Sequence, residues 1–198
     1  MPLEAPKYSA EEKICSNMLN MKETSKYNKT KIIAYTGTHG TGKTTSALQE
    51  TINQKINHPN KSVHCLVDLE AFCPFPINRE TLEESQAWLF ANHLQQLLKT
   101  MQRYDIVILD RTLVDVIAYT KVAGFKKQAE SMMNFLKFHI NFYSEIRVKK
   151  IKDNKFCMPD GIRETKDLKF RQDIEDCLLN LYQKIQQKEW VNGKIYSL

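Results

Sequence analysis

Gly37-Thr38-His39-Gly40-Thr41-Gly42-Lys43-Thr44 matches the pattern G-x-x-x-x-G-K-[ST] at every position. This stretch constrains the fold because it works only between a strand and a helix. Lys31-Ile32-Ile33-Ala34-Tyr35-Thr36 reads as a buried strand entering it, and Thr44 to Glu50 as the first turns of a helix leaving it. In that order the glycines let backbone N–H groups converge on an anion, and the helix N-terminus adds partial positive charge. The expected phosphate-contacting set is Gly37, Thr38, His39, Gly40, Thr41, Gly42, Lys43, Thr44 and Thr45. Lys43 is expected on the β- and γ-phosphates and the Thr44 hydroxyl on Mg²⁺. His39 is expected to act through its backbone rather than its ring. The loop implies binding of a nucleoside triphosphate, with ATP the expected donor.

The chain that follows alternates strand and helix, the mark of an α/β fold with a parallel sheet. Strands are predicted at Ile32–Thr36, Ser62–Val67, Asp105–Leu109, Ser144–Ile151 and Ile195–Leu198. Helices are predicted from about Lys43 to Ile56, Leu82 to Met101, near Leu113, and Gln128 to Phe142. A long amphipathic helix carries Phe170, Ile174, Leu178, Leu181 and Ile185. Residues 1–30 read as a helical appendage and linker, and 31–198 as the main domain. In the appendage, Ile14, Met18, Leu19 and Met21 form an apolar stripe, expected to pack on the main domain or fray, with a partner-binding helix as the alternative.

Composition narrows the setting more than the function. The net charge of +6 permits nucleic acid but equally suits a handler of polyphosphates. The five cysteines have no metal-ligand spacing, which favours reduced thiols over a disulfide framework. With no long apolar run and no signal-peptide core, a soluble, cytoplasmic protein without a membrane partner is expected.

Asp110 closes the third predicted strand, where open parallel sheets place ligands, and is expected to contact Mg²⁺. Arg111 follows at once. An acid–arginine pair there suits phosphoryl transfer to an acceptor: the acid orients or deprotonates a hydroxyl and the guanidinium neutralises phosphate. Asp115 and Tyr119 share a helix face. They either line the acceptor pocket or serve as a cap and a half-buried tyrosine. Cys73-Pro74-Phe75-Pro76-Ile77-Asn78 is either a substrate wall, through Phe75, or a rigid turn. Arg147 to Arg171 holds nine Lys or Arg against four acids, a candidate basic lid with Arg163 its first catalytic candidate. His64 and Cys65 read as packing residues.

Four stretches in this order and spacing resemble a known group. They are Thr36 to Thr45; Cys73 to Asn78 with Gln86 and Trp88; Asp110-Arg111-Thr112 with Asp115 and Ala118-Tyr119; and Asp160-Gly161-Ile162-Arg163 leading to Ile174. Residues 31–198 resemble the AAA-type nucleotide-binding domains related to the ATP-binding half of bacterial nicotinamide-riboside kinase. That group lies within the P-loop kinase branch that includes thymidylate and deoxynucleoside kinases. The resemblance implies a P-loop three-layer sandwich: a five-stranded parallel sheet in order 2-3-1-4-5, helices on both faces and a basic lid. It implies Lys43 and Thr44 at phosphate and Mg²⁺, Asp110 and Arg111 as the pair after strand three, and Arg163 in the lid. Two departures fall on the acceptor side. Where the group often carries a Glu and, three residues on, an Arg, this chain has Asp68 and Ala71. Where it often carries Gln and Glu, this chain has His93 and Leu97. The acceptor therefore does not carry over, although Asp68 remains a substrate candidate.

The leading expectation is a Mg²⁺-dependent phosphotransferase, with Lys43, Asp110, Arg111 and Arg163 as catalytic residues and a small nucleoside- or nucleotide-like acceptor. A regulatory nucleotide switch and a kinase of nucleic-acid ends or modified bases are the alternatives. Nucleic acid is a permitted partner but not the favoured one, and oligomeric state is not legible.

Overall fold

The computed structural model describes residues 30–151 and 168–197. Residues 1–29 of the 1–30 appendage, residues 152–167 with Arg163, and residue 198 lie outside the described residues. Five strands, β1 (Lys31–Thr36), β2 (Val63–Leu66), β3 (Ile106–Asp110), β4 (Glu145–Val148) and β5 (Lys194–Ser197), form one sheet. All pairings are parallel and the order is β2-β3-β1-β4-β5. β1 is central, with Ala34 opposite Leu109 on one side and Ile146 on the other.

β1 and β3 are buried on both faces, which is why they read as unbroken apolar runs. Ile33, Tyr35, Ile106 and Ile108 meet Ala47 of α1 (Lys43–Asn57) on one face. Ile32, Ala34, Val107 and Leu109 join the larger core on the other. There the sheet is covered by α2 (Glu83–Met101), α3 (Leu113–Val122), α4 (Lys126–Leu136) and α5 (Leu168–Gln187). Leu97, Leu113, Ile117, Leu136, Ile174, Leu178 and Ile185 fill the space between.

Some predicted bounds shift for local reasons. The single helix expected over Gln128–Phe142 is α4, a break, and a 3₁₀ turn at Ile140–Phe142. Gly124, at φ 96°, reverses the chain after α3, so α4 starts earlier than predicted. After Leu136 the chain turns to enter β4 and leaves Phe138 on the surface. Two further 3₁₀ turns, Leu69–Phe72 and Asn78–Glu80, bracket the proline-rich loop. His64 packs as expected, stacked on Tyr104 with ring centroids 4.4 Å apart. No helix among the described residues is long and apolar enough to cross a membrane.

Ile108 is fully buried at the sheet centre, whereas Ile195 on β5 is only half-buried. In denaturant unfolding, Ile108→Ala is expected to cost about 2–5 kcal/mol, because it removes transfer energy and leaves a cavity. Ile195→Ala at the margin is expected to cost about 1 kcal/mol or less.

Candidate functional site

The loop between β1 and α1 is held tightly against the end of β4. Gly37 has φ 144°, and a Cβ there would stand 2.2 Å from the Lys149 carbonyl oxygen. The Lys149 N–H donates to the Thr36 carbonyl at 2.8 Å, so only glycine fits this approach. Gly42, in the left-handed region at φ 75°, is the N-cap of α1 and offers no side chain. The α1 N-terminus is thus left open to an anion. Lys43 is buried, and its Nζ donates to the Thr38 carbonyl at 2.7 Å, where the Thr41 hydroxyl also donates at 2.9 Å. The buried Thr38 hydroxyl has no hydrogen-bond partner among the described residues. Gly40 is half-buried and Thr45 exposed on the first turn of α1.

At the end of β3, consecutive residues serve different neighbours. The Thr44 hydroxyl donates to Asp110 Oδ2, bringing two hard oxygen ligands together beside the loop. That donor set fits Mg²⁺ completed by phosphate oxygens. Arg111 has φ 88°, a left-handed backbone rare for a side chain of this size. Its N–H donates to the Tyr35 carbonyl at 2.8 Å, its guanidinium pairs with Glu70, and it lies 5.2 Å from the Tyr119 ring centroid. Three interactions thus hold a strained backbone, the arrangement seen where strain serves a site.

Asp115 ties these parts together. Fully buried, it takes hydrogen bonds from the Thr36 hydroxyl (2.7 Å), the Gly37 N–H (3.2 Å), the Thr112 N–H (2.8 Å) and the Thr112 hydroxyl (2.9 Å). Thr112 is the N-cap of α3 and accepts from Val114 N–H, so Asp115 completes a capping box while gripping the loop. The Tyr182 hydroxyl, from α5, lies 3.0 Å from the Thr36 hydroxyl and 2.8 Å from that of Thr112. Burial first, and then the Asp115 charge, push the Tyr182 phenol well above its ordinary range, so it stays protonated.

Beside the loop is a cavity of about 50 Å³. Its wall includes Glu70, Arg111, Asn78, Gln86, His93 and Tyr119, with Ile77, Leu89 and Val116 as its apolar part. The His39 ring also faces it, with Nδ1 3.0 Å from the Tyr119 hydroxyl and Phe170 of α5 against both rings. Buried Arg171 donates through Nε to the His39 carbonyl at 3.2 Å.

The expected residues divide accordingly. The loop, Asp110, Arg111, Asp115 and Tyr119 converge, and Asp115 is both cap and cavity wall. The His39 ring, expected to be idle, meets the Tyr119 hydroxyl on the cavity side of the loop. From the segment after β2 it is Glu70, not Asp68, that reaches the cavity, because a left-handed Asp68 (φ 52°) starts a 3₁₀ turn that carries Glu70 inward. The proline-rich loop contributes Ile77 and Asn78 rather than Phe75, which is 38% exposed at the bend between two prolines. Arg147, at the start of the basic run, lies on β4 and binds Glu50, Glu145 and the Tyr35 hydroxyl. Glu70, on the cavity wall, and Tyr182, against Thr36 and Thr112, were not named as candidates from the sequence. His93 entered the sequence reading only as an acceptor-side departure from the pattern of the group the chain resembles.

Strand order, loop and flanking cavity define a P-loop kinase-like domain. The AAA domain family matches residues 32–192, and the chain belongs to it. Solved structures share the fold. Deoxyadenosine kinase from M. mycoides, described with dCMP and dCDP, superposes with a TM-score of 0.55 at 13% identity, over 84% of this chain and 88% of that one. Thymidylate kinase from Ehrlichia chaffeensis gives 0.57 at 14% identity, over 85% and 86%. The Candida albicans thymidylate kinase gives 0.54 at 13%, over 85% and 84%. At such identity the likeness is one of fold. A comparison with curated proteins returns no match.

Asp115→Asn turns one acceptor into a donor facing bound donors. It should cost about 3 kcal/mol in denaturant unfolding and weaken ATP binding. Burial pulls the His93 imidazole down to about 4, against an opposing pull from Asp115. Unfolded, the same group titrates near 6.5, so the unfolded chain binds the extra proton first. Stability is therefore expected to fall as pH drops from about 6.5 towards 4, by a few kcal/mol at most. In His93→Leu that part of the pH profile should flatten.

Proposed function

We propose that the protein is an ATP- and Mg²⁺-dependent phosphotransferase acting on a small nucleoside- or nucleotide-like acceptor. The observation that carries this reading is the Glu70–Arg111 pair on a cavity wall next to the phosphate loop. A switch needs the loop; it does not need a buried acid–arginine pair facing a second cavity. The loop amides and Lys43 bind the β- and γ-phosphates, Lys43 exchanging the Thr38 carbonyl for phosphate oxygen. Thr44 and Asp110 would hold Mg²⁺, which supplies neutralisation of phosphate charge. Asp110 is engaged on the Thr44 side, so the acceptor hydroxyl falls to Glu70. The γ-phosphoryl passes from ATP to the acceptor oxygen with ADP as the leaving group, and the proton of that hydroxyl passes to Glu70. Arg111 neutralises charge on the transferring group, with Arg163 as the lid cation. The domain division at residue 30 and a cytoplasmic setting belong to the same reading.

The test is ADP release by purified protein with ATP and Mg²⁺ across nucleosides, nucleoside monophosphates and nicotinamide riboside. Acceptor-dependent release is expected, lost in Lys43→Ala. Glu70→Gln should lower kcat about 100-fold or more with ATP affinity unchanged. Slow hydrolysis indifferent to every acceptor would point instead to a nucleotide switch. Steeply salt-dependent oligonucleotide binding would point to a kinase of nucleic-acid ends.

A further inference from the structure

His93 lies on α2, is only 6% exposed and lines the cavity beside the phosphate loop. Its Nε2 has no hydrogen-bond partner among the described residues. A buried polar nitrogen left unmatched costs stability, and such groups in native structures call for a reason. Two turns earlier on the same helix face, Gln86 shows the usual solution. Its Nε2 donates to the Thr81 hydroxyl at 2.7 Å and its Oε1 accepts from the Thr120 hydroxyl at 3.1 Å. Glu70 and Asp115 on the same wall are also engaged, by Arg111 and by the four donors of the loop and cap. His93 Nε2 is thus built into the wall as a hydrogen-bonding atom that an incoming molecule can engage.

The chemistry of that molecule follows from the surroundings. The imidazole is uncharged at neutral pH, held so by burial. It offers one N–H or one bare nitrogen, and no charge to balance a phosphate or carboxylate. Leu89, Val116 and Ile77 supply apolar surface beside it, suited to the face of a flat ring. We infer that His93 is the specificity residue for the acceptor. Its Nε2 makes one hydrogen bond to the carbonyl, amide or amino edge of an uncharged heterocycle seated against Leu89 and Val116. This rests on the phosphotransferase reading and assigns the heterocycle end of the acceptor, rather than any phosphate, to α2.

The experiment compares wild type, His93→Leu and His93→Gln with adenosine, cytidine, thymidine and methyl riboside, which has no heterocycle. For each, kcat and KM are measured alongside ATP affinity. For the best nucleoside, His93→Leu should raise KM by about 10- to 100-fold, the effect of losing one buried hydrogen bond. Preference among heterocycles should shrink, methyl riboside should be a poor acceptor throughout, and ATP affinity should hold. His93→Gln, which keeps a neutral hydrogen-bonding group, should recover part of the KM with a changed ranking. If His93→Leu keeps wild-type KM and ranking while gaining thermal stability, His93 is a packing residue and the inference is overturned. If wild type shows no acceptor-dependent turnover, the phosphotransferase reading fails separately. Nitrogen NMR of ¹⁵N-histidine-labelled protein then decides the contact. A His93 Nε2 shift on adding nucleoside but not methyl riboside upholds it, and no shift overturns it.

Discussion

A single buried carboxylate joins the nucleotide loop to the rest of the molecule. Asp115 carries a negative charge in the interior, held by donors from β1, the loop and the α3 cap. Its position in the first turn of α3 adds the favourable end of a helix dipole. Each donor alone is a modest interaction, but a buried charge makes their loss expensive together. The direction of the loop at Gly37 and the start of α3 are therefore one structural decision. The loop cannot relax towards the cavity without unseating the helix that forms its wall.

From that anchor the site divides between neighbouring residues. Asp110 turns to Thr44 of α1, while Arg111 turns to Glu70 and the cavity. A regular strand end would give neither side chain quite this separation. The left-handed backbone at Arg111 achieves it at a cost of roughly 1–2 kcal/mol, offset by the ion pair, the backbone hydrogen bond and the tyrosine ring. Two neighbouring residues therefore face different parts of the site, Asp110 the phosphate loop and Arg111 the cavity.

Much of this was legible because it rests on local rules. Strand, glycine loop and helix must follow in order around Gly37 to Thr44, and β3 had to be apolar to be buried on both faces. Thr112 and Asp115 carry capping-box spacing, so the cap was legible, whereas the reach of the same carboxylate to Thr36 was not. Glu70 was hidden because a 3₁₀ turn, started by a left-handed Asp68, moved the acid two residues along the chain. Phe75 and its neighbours shared one apolar loop, and only the bend between two prolines decided which would face inward. Tyr182 looked like an ordinary position on an amphipathic helix, and Arg171 like the end of a basic run. Their roles come from where α5 crosses the loop, which no local pattern encodes.

Tyr182 also bears on how the molecule is made. Thr36, which it braces, lies 146 positions earlier in the chain. During synthesis the glycine-rich loop leaves the ribosome long before the helix that steadies it. β1 must likewise wait for β3 and then β4 before both its sides are paired. The segment most recognisable in the sequence is thus among the last to take its final shape. A nascent chain can display the whole phosphate-binding motif and still lack a finished nucleotide site.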